Sequence, residues 1–169
     1  MPTGMARSEG FPPIARADAR VLVLGSLPGQ RSIDEQQYYA HPQNAFWRIM
    51  RELFGVAGEY DERCARLVEN GIAVWDVLHS SVRPGSMDAD IRLDSASAND
   101  FGGFFANHGR INLIAFNGKK AEQLFATIVD AEAVPIGISR VGLPSTSPAY
   151  ASMPFSGKLA AWRKALCNE

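Results

Sequence analysis

The chain has 169 residues and a net charge of −1 at pH 7, and its hydrophobic residues amount to 46% of the total. A chain of this length predicts one domain, 1–169, whose core buries about two-thirds of the surface that the unfolded chain exposes. The nearly neutral charge excludes a strong overall field that would attract nucleic acid, so any contact with a polyanion must come from a local patch.

Cysteine content and hydrophobic patterning narrow the class of protein further. Cys64 and Cys167 lie far apart and match no metal-ligand spacing, so we expect free thiols and neither a metal nor a cofactor. No stretch approaches the ~20 apolar residues of a membrane span. Residues 1–19 lack the apolar core of a signal peptide and are predicted to form a loosely ordered lead-in. These features predict a soluble cytoplasmic protein, nucleoid-associated if bacterial, with no obligate protein partner.

Strands and helices are predicted to alternate along the chain. Val21–Leu24 is a continuous apolar run that ends at Gly25, as in a strand buried on both faces. Pro42 is predicted to begin a helix that Gly55 ends. The predicted helices are 42–54, 61–70, 99–108, 119–129 and 156–166, and the further predicted strands are 72–77, 111–116 and 135–141.

This alternation predicts an α/β domain with three layers, α/β/α, around a central and mainly parallel sheet. Ligands of such folds bind at the carboxyl ends of the strands. Three loops are expected there, at 25–29, 76–86 and 143–150, where they can converge on one crevice although they are far apart in sequence. Arg83–Ser86 is predicted to be a loop, with Ser86 and Asp88 as turn or capping residues.

The segment from Tyr38 to Trp47 has the most distinctive pattern. Tyr38 and Tyr39 are followed by His41-Pro42 and by the amide of Asn44, close to a predicted helix start. Aromatic rings beside an uncharged amide suit a slot that stacks a flat ring and holds polar groups next to it. A base extruded from DNA is one such ring.

Several motifs resemble the uracil-DNA glycosylase superfamily. The turn Gly25-Ser26-Leu27-Pro28-Gly29 and the segment His41-Pro42-Gln43-Asn44-Ala45-Phe46-Trp47 are similar to segments of the superfamily, and the second of them is shared with its mismatch-specific uracil branch. Trp75-Asp76-Val77, Gly85-Ser86-Met87-Asp88 and Leu143–Ala149 resemble the hypoxanthine-DNA glycosylase branch more. The resemblance extends from about Val21 to the last helix, and it implies the three-layer fold and cleavage of the bond between a base and its deoxyribose.

Two departures favour the hypoxanthine branch. Leu27 stands where many members have an Asp or Asn that activates water, and Leu143-Pro144 stands where uracil-specific members have a His. In the hypoxanthine branch the asparagine of the His-Pro-x-Asn segment is tied to catalysis, which implies a catalytic role for Asn44. From the residue alone, Asn44 equally suits a helix-capping role.

Other residues are predicted to surround the base. Tyr39 would stack on it while Tyr38 supports the pocket, and the backbone N–H groups of Gly25, Ser26 and Leu27 would meet a carbonyl or a phosphate. Asp76 would recognise the base or activate water, or else bond loop amides. His41 is expected to cap the helix, and Phe46 and Trp47 to belong to the core.

The late loop is predicted to contact DNA. Ser145, Thr146 and Ser147 would bind the phosphates beside the extruded nucleotide, and Tyr150 would wedge into the gap, unless this is only a polar surface loop. A local basic patch would include Lys119, with further members at Lys120, Lys158, Arg163 and Lys164. No lysine within the motifs suggests a Schiff-base nucleophile.

We therefore expect a monofunctional glycosylase that removes deaminated bases from DNA, foremost hypoxanthine, and leaves an abasic site for base excision repair. Three alternatives stay open: a uracil-DNA glycosylase acting on G·U pairs or single strands, a damaged-DNA-binding protein without catalysis, and a hydrolase of free nucleosides.

Overall fold

A sheet of four parallel strands lies at the centre of the fold. The computed structural model describes residues 7–82, 91 and 96–167. The central strands run in the order β3-β2-β6-β7, and all three pairings between them are parallel. Their inner positions are apolar and buried, and all five residues of β3 are buried. The seven strands are β1 (Arg7–Glu9), β2 (Val21–Gly25), β3 (Ile72–Asp76), β4 (Leu78–Val82), β5 (Ser97–Ala98), β6 (Leu113–Asn117) and β7 (Ser139–Leu143).

Helices flank this sheet, which confirms the predicted three-layer α/β/α architecture. Helix α3 packs on β3, α5 on β6, and α6 on β7, with α2 against α6. The apolar faces of these helices and of the sheet join in one hydrophobic core. The helices are α1 (Gln30–Glu35), α2 (Phe46–Phe54), α3 (Tyr60–Glu69), α4 (Phe101–Asn107), α5 (Lys119–Ile128) and α6 (Phe155–Cys167), with a short 3₁₀ turn at Ala131–Ala133.

A second, antiparallel sheet of three strands, β1-β4-β5, was not predicted. Strand β1 pairs with β4, and Ile14 bonds through its backbone to Val74 of β3. Part of the N-terminal segment is therefore hydrogen-bonded to the body of the protein. The predicted loop 83–86 and the residues Ser86 and Asp88 lie outside the described ranges.

Two predicted boundaries are wrong, and each has a local cause. Helix α2 begins at Phe46 instead of Pro42, because the Asn44 N–H donates to the His41 carbonyl in a tight turn (2.9 Å) and the Ala45 N–H donates to the Thr146 carbonyl (2.9 Å). His41 accordingly caps this turn, where its Nδ1 accepts from the Gln43 N–H, and not the helix. Strand β7 starts at Ser139 instead of Pro135, after a turn in which Gly137 has a φ of 94°.

The remaining elements agree with the predictions to within a few residues. Gly55 ends α2 in the left-handed conformation (φ 68°), as predicted, and the buried Phe46 and Trp47 belong to the core. Helix α1 was not predicted. None of the helices in the described part of the chain combines the length and the apolar character that crossing a membrane requires.

Candidate active site

A cavity of about 590 Å³ opens at the carboxyl ends of the central strands. Gly25 and Asp76 are register partners at the ends of β2 and β3, and Asn117 and Leu143 are partners at the ends of β6 and β7. The described lining consists of 25–32, Tyr38, Tyr39, His41, Asn44, Asp76, Asn117 and 145–150. The predicted loops 25–29 and 143–150 thus converge, together with the aromatic segment, and the volume is typical of a ligand site. The predicted loop 76–86 is wrong in part: Asp76 lines the cavity, but Leu78–Val82 form strand β4.

The floor of the cavity lies between Gly25 and Asp76. Asp76 is only 4% exposed. A Cβ on Gly25 would stand 2.5 Å from Asp76 Oδ1 and 3.1 Å from the Tyr39 hydroxyl. The carboxylate and the phenol therefore converge on the end of β2, where only glycine leaves room for both. Ser26 and Leu27 follow at once and are also buried cavity residues.

The two adjacent tyrosines take different positions. Tyr38 is 4% exposed, and its hydroxyl donates to the Pro12 carbonyl (2.9 Å). Its burial, and next the nearby Asp76 charge, hold the pKa of Tyr38 well above its ordinary value, so this phenol stays neutral. Tyr39 is half-buried, and one face of its ring stacks on Phe46, with 4.3 Å between centroids. Tyr38 is thus anchored in the core, and Tyr39 is the more accessible of the two rings.

The side chain of Asn44 has a fixed orientation just before the N-terminus of helix α2. Its Oδ1 accepts a hydrogen bond from the Phe46 N–H (2.9 Å), so the amide satisfies a free N–H at the helix start, although the N-cap position itself is Ala45. Since the oxygen is engaged, the Nδ2 group is the end that remains for a ligand. No residue in the described ranges accepts a hydrogen bond from Nδ2. The capping role and a ligand-binding role are therefore compatible, and the geometry makes Asn44 a hydrogen-bond donor.

Within the late loop, Thr146 differs from its serine neighbours. It is 1% exposed; its N–H donates to Asn117 Oδ1, and its Oγ1 accepts from Asn117 Nδ2, both at 2.9 Å. Its carbonyl accepts the Ala45 N–H. We therefore assign Thr146 to holding the loop, whereas Ser145, Ser147 and the 38%-exposed Tyr150 remain candidates for contact with DNA.

The candidate cations are distributed unevenly around the site. Lys119 is exposed at the start of α5 and does not line the cavity. Lys158, in the first turns of α6, lies beneath the late loop: it is 5% exposed, and its Nζ donates to the Ser147 carbonyl (3.3 Å) and stands 5.3 Å from the centre of the Tyr150 ring. Burial lowers the pKa of Lys158 below its ordinary value. Within the described ranges no carboxylate lies within 4 Å of this ammonium.

Sequence reasoning missed four residues that shape the site. They are Asn117, Lys158 as a buried rather than a surface charge, Ser32 on α1 and Tyr60 on α3. A polar residue at the end of a buried strand was a usable signal for Asn117, and nothing local marked the other three. Among the residues that the structure describes, no three His, Cys, Asp or Glu side chains are grouped as a metal site would need.

Comparisons with known proteins agree with this geometry. The family model described as "Uracil DNA glycosylase superfamily" matches residues 12–169. Two relatives named "Hypoxanthine DNA glycosylase" come from Methanosarcina acetivorans and Methanosarcina barkeri. The first is 37% identical over 116 residues, 67% of this chain and 72% of the relative. The second is 36% identical over 118 residues, 68% and 73% of the two chains.

A solved structure supports the same assignment. The solution NMR structure of a putative uracil DNA glycosylase from Methanosarcina acetivorans superposes with a TM-score of 0.76 at 32% identity, covering 95% of this chain and 99% of that one. Fold and site thus define an α/β/α protein with a ligand-sized cavity at the carboxyl end of its sheet. The chain belongs to the uracil DNA glycosylase superfamily, and it is a DNA N-glycosylase.

Proposed function

We propose that this glycosylase removes hypoxanthine, the deamination product of adenine, from DNA by hydrolysis and leaves an abasic site. The observation that carries the proposal is the pairing of a buried acceptor, Asp76, with a fixed donor, Asn44, in one cavity. Two relatives bear the name of this activity, which favours hypoxanthine over uracil as the substrate.

The chemistry of deamination explains why an acceptor beside donors is useful. Adenine presents an amino donor next to the lone pair of N1, whereas hypoxanthine presents a carbonyl acceptor next to an N1–H donor. The Asp76 carboxylate suits the N1–H, and backbone N–H groups of the turn at Gly25–Leu27 suit the carbonyl. Against adenine the carboxylate would face a lone pair and the N–H groups an amino group, so the normal base would bind poorly.

Asn44 is proposed as the main catalytic group, acting on the leaving base. Cleavage of the glycosidic bond leaves an electron pair on the purine, and a donor placed at a ring nitrogen or at the carbonyl stabilises this charge in the transition state. With its Oδ1 bonded to the Phe46 N–H, Asn44 can supply Nδ2 for this purpose. Removal of one such donor typically lowers the rate by about 10²–10³-fold.

The remaining residues are proposed to hold the base and its flanking backbone. Tyr39 stacks on the extruded purine, Ser145 and Ser147 bind phosphates, and Tyr150 enters the gap left in the stack. Lys119 lies outside the cavity and would reach only the more distant backbone. Because no lysine of the described chain lines the cavity, we propose hydrolysis without strand cleavage.

The decisive test uses end-labelled duplexes that carry one deoxyinosine, one deoxyuridine or neither. Purified protein is incubated with each duplex, and the products are separated with and without alkali. The proposal predicts alkali-dependent cutting at deoxyinosine, lost on the order of 10²–10³-fold in Asn44→Ala. Gln43→Ala serves as the matched control, since Gln43 is an exposed amide next to Asn44 that does not line the cavity.

Each other outcome has a distinct meaning. Cutting only at deoxyuridine would keep the reaction and replace the substrate. Cutting without alkali would contradict the monofunctional mechanism. Tight binding to the lesion without release of the base would favour a DNA-binding protein, and turnover of free deoxyinosine would favour a nucleoside hydrolase.

A further inference from the structure

The conformation of Tyr39 is unusual. Its φ is 54°, in the left-handed backbone region that residues other than Gly, Asn and Asp rarely adopt. Such a conformation is strained and persists only where the surroundings enforce it. It occurs here at a cavity residue that Phe46 also fixes by stacking.

Side chains from three helices hold the backbone on both sides of Tyr39. The Tyr60 hydroxyl, on α3, accepts from the Tyr38 N–H (3.0 Å), and Trp47 Nε1, on α2, donates to the Tyr38 carbonyl (2.8 Å). On the other side, Ser32 Oγ on α1 accepts from the Ala40 N–H (3.1 Å). Three side-chain bonds to two residues of an irregular segment leave the peptide units next to Tyr39 little freedom to rotate.

Of the three side chains, Tyr60 gives the clearest evidence for a positioning role. It lies outside the cavity lining, and its ring meets Trp47 edge to face at 5.7 Å. Burial raises the pKa of Tyr60, so its hydroxyl keeps its proton at neutral pH. Packing of the ring explains why an aromatic residue stands here, but it does not require a hydroxyl. The hydroxyl accepts from the Tyr38 N–H, beside the strained residue, and it also bonds with the Cys64 thiol one turn further along α3.

We infer that Tyr60, with Ser32, is a positioning residue for base excision: by fixing the peptides on either side of Tyr39, the two side chains hold its ring in the one orientation that stacks on the extruded base. The inference rests on the proposed role of Tyr39 in contacting that base. An untethered Tyr39 would relax towards negative φ, and its ring would leave the cavity wall at Gly25 and Asp76.

The test is a double-mutant cycle on excision of deoxyinosine from a duplex under single-turnover conditions. Tyr60→Phe keeps the ring and removes only the hydroxyl, and Tyr39→Ala removes the ring that is to be positioned. We expect Tyr60→Phe to lower the rate about ten-fold in the Tyr39 background and less than two-fold in the Tyr39→Ala background, since residues that act through one another are not additive. Affinity for undamaged duplex should change less than two-fold in Tyr60→Phe.

Ser32→Ala provides an independent second variant, should Tyr60→Phe fold poorly, and should show the same dependence on Tyr39. Ser156→Ala, which removes an exposed hydroxyl at the start of α6, is the control and should leave the rate unchanged. Equal losses with and without the Tyr39 ring, or no loss from either variant, would overturn the inference alone. A wild-type protein that excises neither deoxyinosine nor deoxyuridine would instead overturn the proposed function, and the inference with it.

Discussion

The two walls of the cavity are held in place by different means. In the aromatic wall, 38–44, side chains of three helices, from Tyr60, Trp47 and Ser32, bond the backbone on both sides of Tyr39. In the late loop, 145–150, the side chain of Asn117 holds Thr146, while the serine hydroxyls make local turns: Ser145 Oγ accepts from the Ser147 N–H and Ser147 Oγ from the Ala149 N–H.

This difference suits the two proposed ligands. A base must be stacked and hydrogen-bonded at fixed positions, and side-chain bonds from three helices give that rigidity. A phosphate needs donors on an adaptable backbone. Because the Ser145 and Ser147 oxygens accept bonds from the loop, their O–H groups remain to donate to a phosphate oxygen. Thr146 joins the two walls, since its carbonyl accepts from Ala45, next to Asn44.

The largest effect is expected from a substitution at the floor of the cavity, next to Asp76 and the Tyr39 ring. Gly25→Ala places a Cβ 2.5 Å from Asp76 Oδ1 and 3.1 Å from the Tyr39 hydroxyl, so the carboxylate and the ring must shift. Displacement of positioned groups by about 1 Å can cost on the order of 10²-fold in rate, and we expect a single-turnover loss of that size. Gly109→Ala is the control, because Gly109 does not line the cavity and a Cβ there meets nothing within 4 Å. Similar rates for the two variants would show that the floor tolerates displacement.

An intermediate effect is expected at Thr146, whose substitution tests whether the late loop positions the segment that contains Asn44. Thr146→Val keeps the shape of the side chain but leaves the buried Asn117 Nδ2 without its acceptor, and we expect the excision rate to fall about ten-fold. Thr146→Ser should restore most of the rate. Thr127→Val, which removes an exposed hydroxyl on α5, should have no effect. A loss confined to DNA affinity, with the excision rate intact, would mean that the loop does not act on Asn44.

A smaller effect concerns the charge beneath the late loop. We predict that Lys158 contributes positive potential to a phosphate held by the loop, so Lys158→Met should make the plot of log affinity against log salt shallower by about 0.9. Lys164→Met, an exposed lysine in the last turn of the same helix, is the comparison. Weaker binding with an unchanged slope would mean that Lys158 supports the loop through its bond to the Ser147 carbonyl and does not act on the phosphate by its charge.

The smallest effect is on stability as a function of pH. The pKa of Lys158 is lower in the folded protein than the ordinary value of 10.5, because burial disfavours its charge. Between these two pKa values the unfolded chain binds more protons, so Lys158 makes the free energy of unfolding rise with pH in that window. We therefore expect chemical denaturation between pH 8 and 10.5 to show the free energy of unfolding of wild type rising with pH relative to that of Lys158→Met. A constant difference would contradict the lowered pKa.

The sequence was a good guide to elements and a partial guide to the site. Val21–Gly25 was recognisable because a strand buried on both faces is a continuous apolar run, and Gly55 because a helix end needs its positive φ. The start of α2 was misplaced because Pro42 favours a helix locally, while the Ala45 N–H finds its acceptor about a hundred residues away, at Thr146. Asn44 was singled out correctly as a cavity residue, but its capping and ligand-binding roles could not be ranked.

What the sequence determined by itself is which residue types follow each strand, and hence that a glycine turn, paired aromatics, an amide and a hydroxyl-rich loop meet at one edge of a parallel sheet. The tertiary structure alone decided the left-handed backbone of Tyr39, the donor orientation of Asn44, the bonds between Asn117 and Thr146 and the burial of Lys158. The physical reason is that hydrophobic periodicity records only which face of each element is buried. The orientation of a polar group is set by the partner that packing brings to it, and these partners come from distant parts of the chain.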